Sequence, residues 1–325
     1  MNAPSVFLMG SGEIAVPSFE RLVDFDAIEV VGIATQPDRP VGRKKVLTPT
    51  PVGRWAGERG LDTFKPLSVN SEEFLSVIRG LAPDILLVAS FGQILKRDLL
   101  ETPSIAPVNI HASILPRHRG ASPIAAAILA GDGKTGVSFM RMDEGLDTGP
   151  VYRIFELEIG LMNAAELESA LGDLAAERVE EMVLEVASGE AVPREQDHSA
   201  ATLTKKIRKS DGAVDWISPA DLLARMVRAY HPWPGAFFFI DTPKRRMRIT
   251  ITAAEPAEQR SGDVSAEPGV TLDADDAWIV ACGDGALAIR RLIPEGGREM
   301  SAAEFLRGRP EVERGFRAGR FPKGD

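Results

Sequence analysis

The run Val108-Asn109-Ile110-His111-Ala112-Ser113-Ile114-Leu115-Pro116 sets an amide and an imidazole either side of one residue, at the end of an apolar stretch. Side chains alternate between the two faces of a strand, so Asn109 and His111 share a face if the strand runs through both. An amide donor beside a titratable imidazole suits the polarising of a carbonyl and the handling of a proton next to it. Alone, the pair also reads as two polar caps on a strand end, because so short a pattern recurs by chance. A third ionisable group stands in Gly145-Leu146-Asp147-Thr148-Gly149. By itself that pattern reads as a turn with Asp as a turn residue, and the nearby Asp143 is a second carboxylate at an expected strand end.

The elements needed to position these groups alternate along the first two-thirds of the chain. Val6-Phe7-Leu8-Met9, Glu29 to Thr35 and Asp84 to Ser90 read as strands. Helical patterns fall at Val16 to Phe25, with Pro17 near the first turn, at Phe74 to Leu81 and from about Ser122 to Ala130. Short apolar strands separated by helices imply an α/β fold, a Rossmann-like and mostly parallel sheet covered on both faces. Ligands of such sheets sit at the carboxyl ends of the strands, where Asn109, His111 and the turn Ser113 to Pro116 fall. A long amphipathic helix is expected from Ala165 to Ala187, with Gly189 after it. The polar stretch that follows contains Pro193 and reads as a linker. Beyond Ala213 come one helix, Pro219 to Tyr230, and strands at Phe237-Phe238-Phe239, Met247 to Thr252, Trp278 to Ala281 and Leu287 to Leu292, which make a small barrel plausible. The expected division is therefore a catalytic domain at 1–189, a linker at 190–207 and a smaller β-barrel domain at 208–325.

The stretches NIHASILPRHRGASPI and TGVSFMRMDEGLDTGP resemble the folate-dependent formyltransferase family. The resemblance lies in three separated elements kept in order: an Asn-x-His strand, a Ser-Leu-Leu-Pro turn that here reads Ser113-Ile114-Leu115-Pro116, a conservative departure, and a distant Asp in a Gly-rich loop. It implies transfer of a formyl group from 10-formyltetrahydrofolate to an amine, with Asn109, His111 and Asp147 as the catalytic residues. It also implies that Ser113, Ile114, Leu115 and Pro116, with Phe91, Gly92, Gln93, Ile94 and Leu95, border the folate. From its pattern, Phe91 to Leu95 reads equally well as an ordinary strand-to-helix loop. The family's second domain is OB-like, a fold often used for oligonucleotide surfaces.

Two further stretches are similar to the branch of this family that acts on initiator methionyl-tRNA. One is Thr35 to Lys45, and the other runs from residue 205 through Asp215-Trp216 and Pro232-Trp233-Pro234. The loop from Pro37 to Pro51 carries Pro37, Pro40, Pro49 and Pro51 around a basic centre, and is expected to be exposed and partly mobile. The resemblance implies that this loop enters the acceptor stem of the tRNA, with Arg43 making the decisive contact and Lys44 and Lys45 meeting phosphates. In the family a residue usually separates the Arg from the Lys pair; here they adjoin. Lys205, Lys206, Arg208 and Lys209 form a second basic cluster toward tRNA, and Lys244-Arg245-Arg246 with Arg248 a third. The rival readings are a formyltransferase for an amino sugar nucleotide, a purine-pathway formyltransferase, and a tRNA-binding module without catalysis.

Bulk properties set the limits. A length of 325 residues and 44% hydrophobic content suit a globular protein of two domains. No apolar stretch approaches the ~20 residues that span a bilayer, and no secretory leader is evident, so a cytoplasmic, monomeric protein is expected. A net charge of −9 argues against generic nucleic-acid affinity, although a tRNA needs only one positive face. The single cysteine, Cys282, lies in an apolar run and is expected to be a buried, inert thiol. No metal is expected, for want of ligand spacing, and there is no P-loop. Gly10-Ser11-Gly12-Glu13-Ile14-Ala15 fits the dinucleotide fingerprint, but no acid ends the second strand, so the glycines are expected to serve a tight turn. Of the remaining histidines, His118 is expected to be exposed and near an anion, His198 lies in the linker, and His231 is expected to pack at a domain corner.

Overall fold

The computed structural model describes residues 3–42, 45–242, 245–257, 266–273, 276–309, 312 and 316–319. In chain order the elements are β1 (Ser5–Gly10), α1 (Val16–Val23), β2 (Glu29–Ala34), β3 (Arg39–Val41), β4 (Val46–Thr48), α2 (Pro51–Glu58), α3 (Glu72–Leu81), β5 (Ile85–Ala89), α4 (Arg97–Leu100) and β6 (Ala106–His111). There follow β7 (Arg119–Gly120), α5 (Pro123–Ala130), β8 (Lys134–Arg141), β9 (Val151–Glu158), α6 (Ala164–Ser188) and β10 (Leu203–Thr204). The remainder comprises α7 (Ala220–Ala229), β11 (Ala236–Asp241), β12 (Arg246–Pro256), β13 (Thr271–Asp273), β14 (Trp278–Ala281), β15 (Ala286–Pro294), β16 (Met300–Ser301) and α8 (Ala302–Arg307). Two compact units result: Met1–Pro123 with Lys134–Glu158 and Glu166–Lys205, and Ile124–Gly133 with Ile159–Ala165 and Lys206–Asp325.

The first unit is built on a sheet of order β2-β1-β5-β6-β8-β9. It is parallel from β2 to β6, as the alternation of strands and helices predicts, whereas β8 and β9 add antiparallel strands. Every residue of β5 is buried, which is why it reads as an unbroken apolar run: both faces are covered. Ile85, Leu87, Val108 and Phe139 meet Met182, Val183 and Val186 of α6 on one face. Leu86 and Val88 join Phe7, Met9 and the α3 residues Phe74, Leu75 and Ile78 in a buried cluster. Each such side chain contributes roughly 1.5–3 kcal/mol by leaving water. Local signals start the helices: Ser71 Oγ accepts from Phe74 N at 3.4 Å to cap α3, and Thr50 Oγ1 accepts from Gly53 N at 3.0 Å to cap α2.

The glycine-rich turn after β1 is not shaped as a phosphate cradle. The N–H groups of Ser11 and Gly12 both donate to Ser90 O, at 3.2 and 3.3 Å, and so are already used. A Cβ on Gly12 would lie 2.5 Å from Ser90 Oγ, so a close approach of two strand ends accounts for the glycine.

The second unit holds an antiparallel sheet of order β11-β12-β15-β14-β13, with β16 pairing β15. The residues 316–319 close the circuit: Thr271 N donates to Phe316 O at 2.8 Å, Ala318 N to Gly269 O at 2.8 Å, and Gly319 N to Phe239 O at 2.7 Å. Trp216, Phe238, Trp278 and Ile289 fill the interior, and α7 contributes Leu223 and Val227. Helix α5 from Ile124 onward and the segment Ile159–Ala165 belong to this unit: Arg225 Nε donates to Leu129 O at 3.0 Å, and Arg228 Nη1 to Gly160 O at 3.2 Å. Cys282 is buried, and burial pushes its thiol up to about 12. No helix among the described residues is long and apolar enough to cross a membrane, and none of their His, Cys, Asp and Glu groups forms a metal-binding cluster.

Candidate active site

Strand β6 runs through both polar residues of its last turn of the pleat, so Asn109 and His111 do share a face. In the pairing with β8, His111 stands opposite Ser138 and Asn109 opposite Met140. His111 is buried, at 6% exposure, and Asn109 is half-buried. Among the described residues the Asn109 amide makes no side-chain hydrogen bond, so its NH2 is available.

His111 is held from both sides of its ring. Its Nε2 lies 3.1 Å from the carbonyl oxygen of His118, which can only accept, so this nitrogen carries the proton. Its Nδ1 faces Asp147 Oδ1 at 3.7 Å, too far for a direct hydrogen bond but close enough for an ion pair once the ring is charged. Asp147 comes from the loop between β8 and β9. Its Oδ2 accepts from Gly120 N at 2.7 Å, and its backbone has φ +53. Asp is one of the few side chains that tolerates that conformation. Gly149 beside it admits no replacement, because a Cβ there would sit 2.0 Å from Arg141 O. Asp143 turns to the loop itself: its Oδ1 accepts from Gly145 N at 3.0 Å and from Thr148 Oγ1 at 2.7 Å, which leaves Asp147 as the carboxylate facing the imidazole.

The turn after β6 is held by Ser138, which is fully buried. Its hydroxyl donates to Ser113 O at 2.6 Å and accepts from Leu115 N at 3.1 Å. Ser113 Oγ in turn donates to Arg117 O at 2.6 Å. Ser113 and Leu115 are buried supports, and Ile114 and Pro116 keep part of their surface. In the loop after β5, Phe91 and Leu95 are buried, Gly92 is exposed and Ile94 is 75% exposed. Gln93 ties this loop down, accepting from Val69 N at 3.0 Å and donating to Pro66 O at 3.3 Å.

His118 corrects an expectation. It is 7% exposed rather than open to solvent, because Thr202 Oγ1 accepts from its backbone N–H at 2.8 Å and β10 pairs with β7 beside it. The stretch 37–51 also differs from a plain loop: β3 and β4 pair as a hairpin, with Arg39 opposite Thr48 and Val41 opposite Val46. Lys45 is exposed, whereas Arg43 and Lys44 lie outside the described residues. Lys205, Lys206, Arg208 and Lys209 are all exposed. His198 is exposed as well. The segment 190–207 is anchored rather than free: Arg194 N donates to Val151 O at 2.9 Å, and Gln196 donates to two carbonyls of the Asp147 loop. The sequence reading passed over Ser138, Arg119 and Gln196. Arg119 stood within a motif already singled out, but nothing in the pattern around Gln196 marks it.

The residues 5–182 match the family described as Formyl transferase, and 206–310 match Formyl transferase, C-terminal domain. The two matches together span most of the chain, which is therefore a formyltransferase. The chain is 40% identical over 310 residues to the methionyl-tRNA formyltransferase of Roseiflexus castenholzii, covering 95% of this chain and 96% of that protein. It is 40% identical over 309 residues to that of Halorhodospira halophila, covering 94% and 97%. The chain belongs to the methionyl-tRNA formyltransferase family. Its fold is also similar to that of WlaRD, a sugar 3N-formyl transferase, with a TM-score of 0.63 at 15% identity over 89% of this chain and 98% of that one.

Proposed function

We propose that the protein transfers the formyl group of 10-formyltetrahydrofolate to the α-amine of methionyl initiator tRNA. The observation that carries this reading is the meeting of Asn109, His111 and Asp147 at the carboxyl end of β6, with His111 Nδ1 3.7 Å from Asp147 Oδ1. The amine nitrogen attacks the formyl carbon, a C–N bond forms, and the carbonyl electron pair moves onto oxygen. The free Asn109 NH2 donates to that oxygen; a donor so placed commonly contributes on the order of 10²–10³ in rate. His111 has Nε2 committed to the His118 carbonyl, so proton traffic falls to Nδ1 and the Asp147 carboxylate. They take one proton from the attacking amine and return one to N10 as the bond to the formyl carbon breaks and the C=O reforms.

Ile114, Pro116, Gly92 and Ile94 offer surface to the folate, while Ser113, Leu115, Phe91, Gln93 and Leu95 support them. Arg43, Lys44 and Lys45 of the basic stretch 37–51, with Lys205, Lys206, Arg208 and Lys209, supply cations for tRNA phosphates. The protein acts as a cytoplasmic monomer. The test sets methionyl initiator tRNA beside an amino sugar nucleotide in one formyl-transfer assay. Formylation of the tRNA alone is expected; formylation of the sugar alone overturns the proposal.

A further inference from the structure

We infer that Gln196 and Arg119 are positioning residues for this reaction, fixing the Asp147 loop so that its carboxylate faces His111. The inference rests on the function proposed above. With φ +53, Asp147 occupies a left-handed conformation that Asp tolerates but that other backbone conformations outcompete, so bonds to its own backbone help to keep it there. Gln196 supplies such a bond. Its Nε2 donates to Asp147 O at 3.0 Å and to Gly149 O at 2.6 Å, so one amide grips the backbone at and beyond the catalytic carboxylate.

Arg119 fixes the amide. Its Nε and Nη2 donate to Gln196 Oε1 at 3.1 and 2.7 Å, which dictates which end of the amide is oxygen and aims Nε2 at the loop. Both side chains are buried, at 8% exposure for Gln196 and 4% for Arg119. A guanidinium so enclosed is tolerated only with its donors satisfied, and Nη2 also lies 3.1 Å from His198 Nδ1.

The segment carrying Arg119 touches both members of the catalytic pair. His118 O accepts the hydrogen bond of His111 Nε2, and Gly120 N donates to Asp147 Oδ2 at 2.7 Å. That segment is in turn held by the chain beyond Gln196: Arg119 N donates to Thr202 O at 2.9 Å, and Thr204 Oγ1 donates to Arg119 O at 3.1 Å. The stretch 196–204 is thus a strap over the pair, and its one amide reaches the loop that carries the acid. Reacting groups lose rate steeply with small displacements, on the order of 10²-fold for about 1 Å.

The test compares wild type, Gln196→Ala, Asp147→Asn and the double variant in single-turnover formylation of methionyl-tRNA. Gln196→Ala is expected to lower kcat roughly 10²-fold while KM for each substrate stays within about threefold. In the Asp147→Asn background the same change is expected to cost less than about threefold, because the group it positions is already gone. A kcat within threefold of wild type overturns the inference, and so does a loss that multiplies fully in the double variant, the mark of a general structural role. If Gln196→Ala does not fold, Gln196→Glu carries the same cycle: it keeps an acceptor for Arg119 and removes both donors. Wild-type protein without formylation of tRNA sinks the functional reading itself; active wild type with an unaffected variant sinks only the role of Gln196.

Discussion

The end of β6 and the hairpin β3–β4 differ in almost every physical respect. At the end of β6, His111, Ser113 and Ser138 are buried, and His111 Nε2 and the hydroxyls of Ser113 and Ser138 each have a fixed partner. On the hairpin, Val46 and Leu47 are 59% and 67% exposed, and three ladder pairs hold the two strands. Chemistry at one carbon needs groups fixed to tenths of an ångström before substrate arrives. A contact with a large, charged partner needs reach and cations, and tolerates freedom. The first region is buried and the second lies in solvent, the division that the two proposed roles require.

The largest expected effect breaks the comparison if it fails. Asp147→Ala should lower kcat by about 10²–10⁴ in a protein that still folds, with a modestly lower melting temperature from the lost bond to Gly120 N and Ala at positive φ; near-normal turnover removes the carboxylate from the mechanism. Arg43→Ala should act on the other region alone, reducing kcat/KM for methionyl-tRNA on the order of tenfold and leaving folate affinity as it was. Its loss should also flatten the salt dependence of tRNA kinetics, and unaltered kinetics refute the contact. Stability sharpens the contrast: Ile110→Ala on β6 should cost about 2–5 kcal/mol in urea unfolding, whereas Leu47→Ser should stay within about 0.5 kcal/mol. The smallest effect is a control in the barrel. Cys282 has its thiol raised to about 12 by burial, so the neutral thiol's contribution is complete below the ordinary thiol pKa of about 8.5 and is lost as pH climbs through 12. At pH 8 a thiol reagent should label it only after denaturation; rapid labelling of the native protein would contradict its burial.

Much of this was legible in residue order. The period-2 placement of Asn109 and His111 survives because β6 continues through both, and the apolar run at β5 is what two covered faces require. The long stripe Leu167, Leu171, Val179, Met182, Val183 and Val186 is buried on α6 as its spacing predicts. What stayed hidden depends on contacts between distant residues. His118 sits between two arginines and reads as surface; only β10, more than eighty residues on, covers it. Gln196 lies in a polar stretch with a proline, the composition of a linker, and its bonds to the Asp147 loop have no local signature. Strand β8 was legible only as the strand expected to end near Asp143, and β9 escaped because its run does not alternate cleanly enough to stand out from its neighbours.

The residues 316–319 bridge β11 to the chain entering β13, and this has a bearing on self-association. Without them, Phe239 and Thr271 would expose unpaired backbone along two open strand edges, the template on which separate molecules stack into aggregates. A chain cut before Phe316 should therefore lose solubility sooner than it loses its catalytic unit, and the short closing segment serves as the barrel's guard against intermolecular pairing.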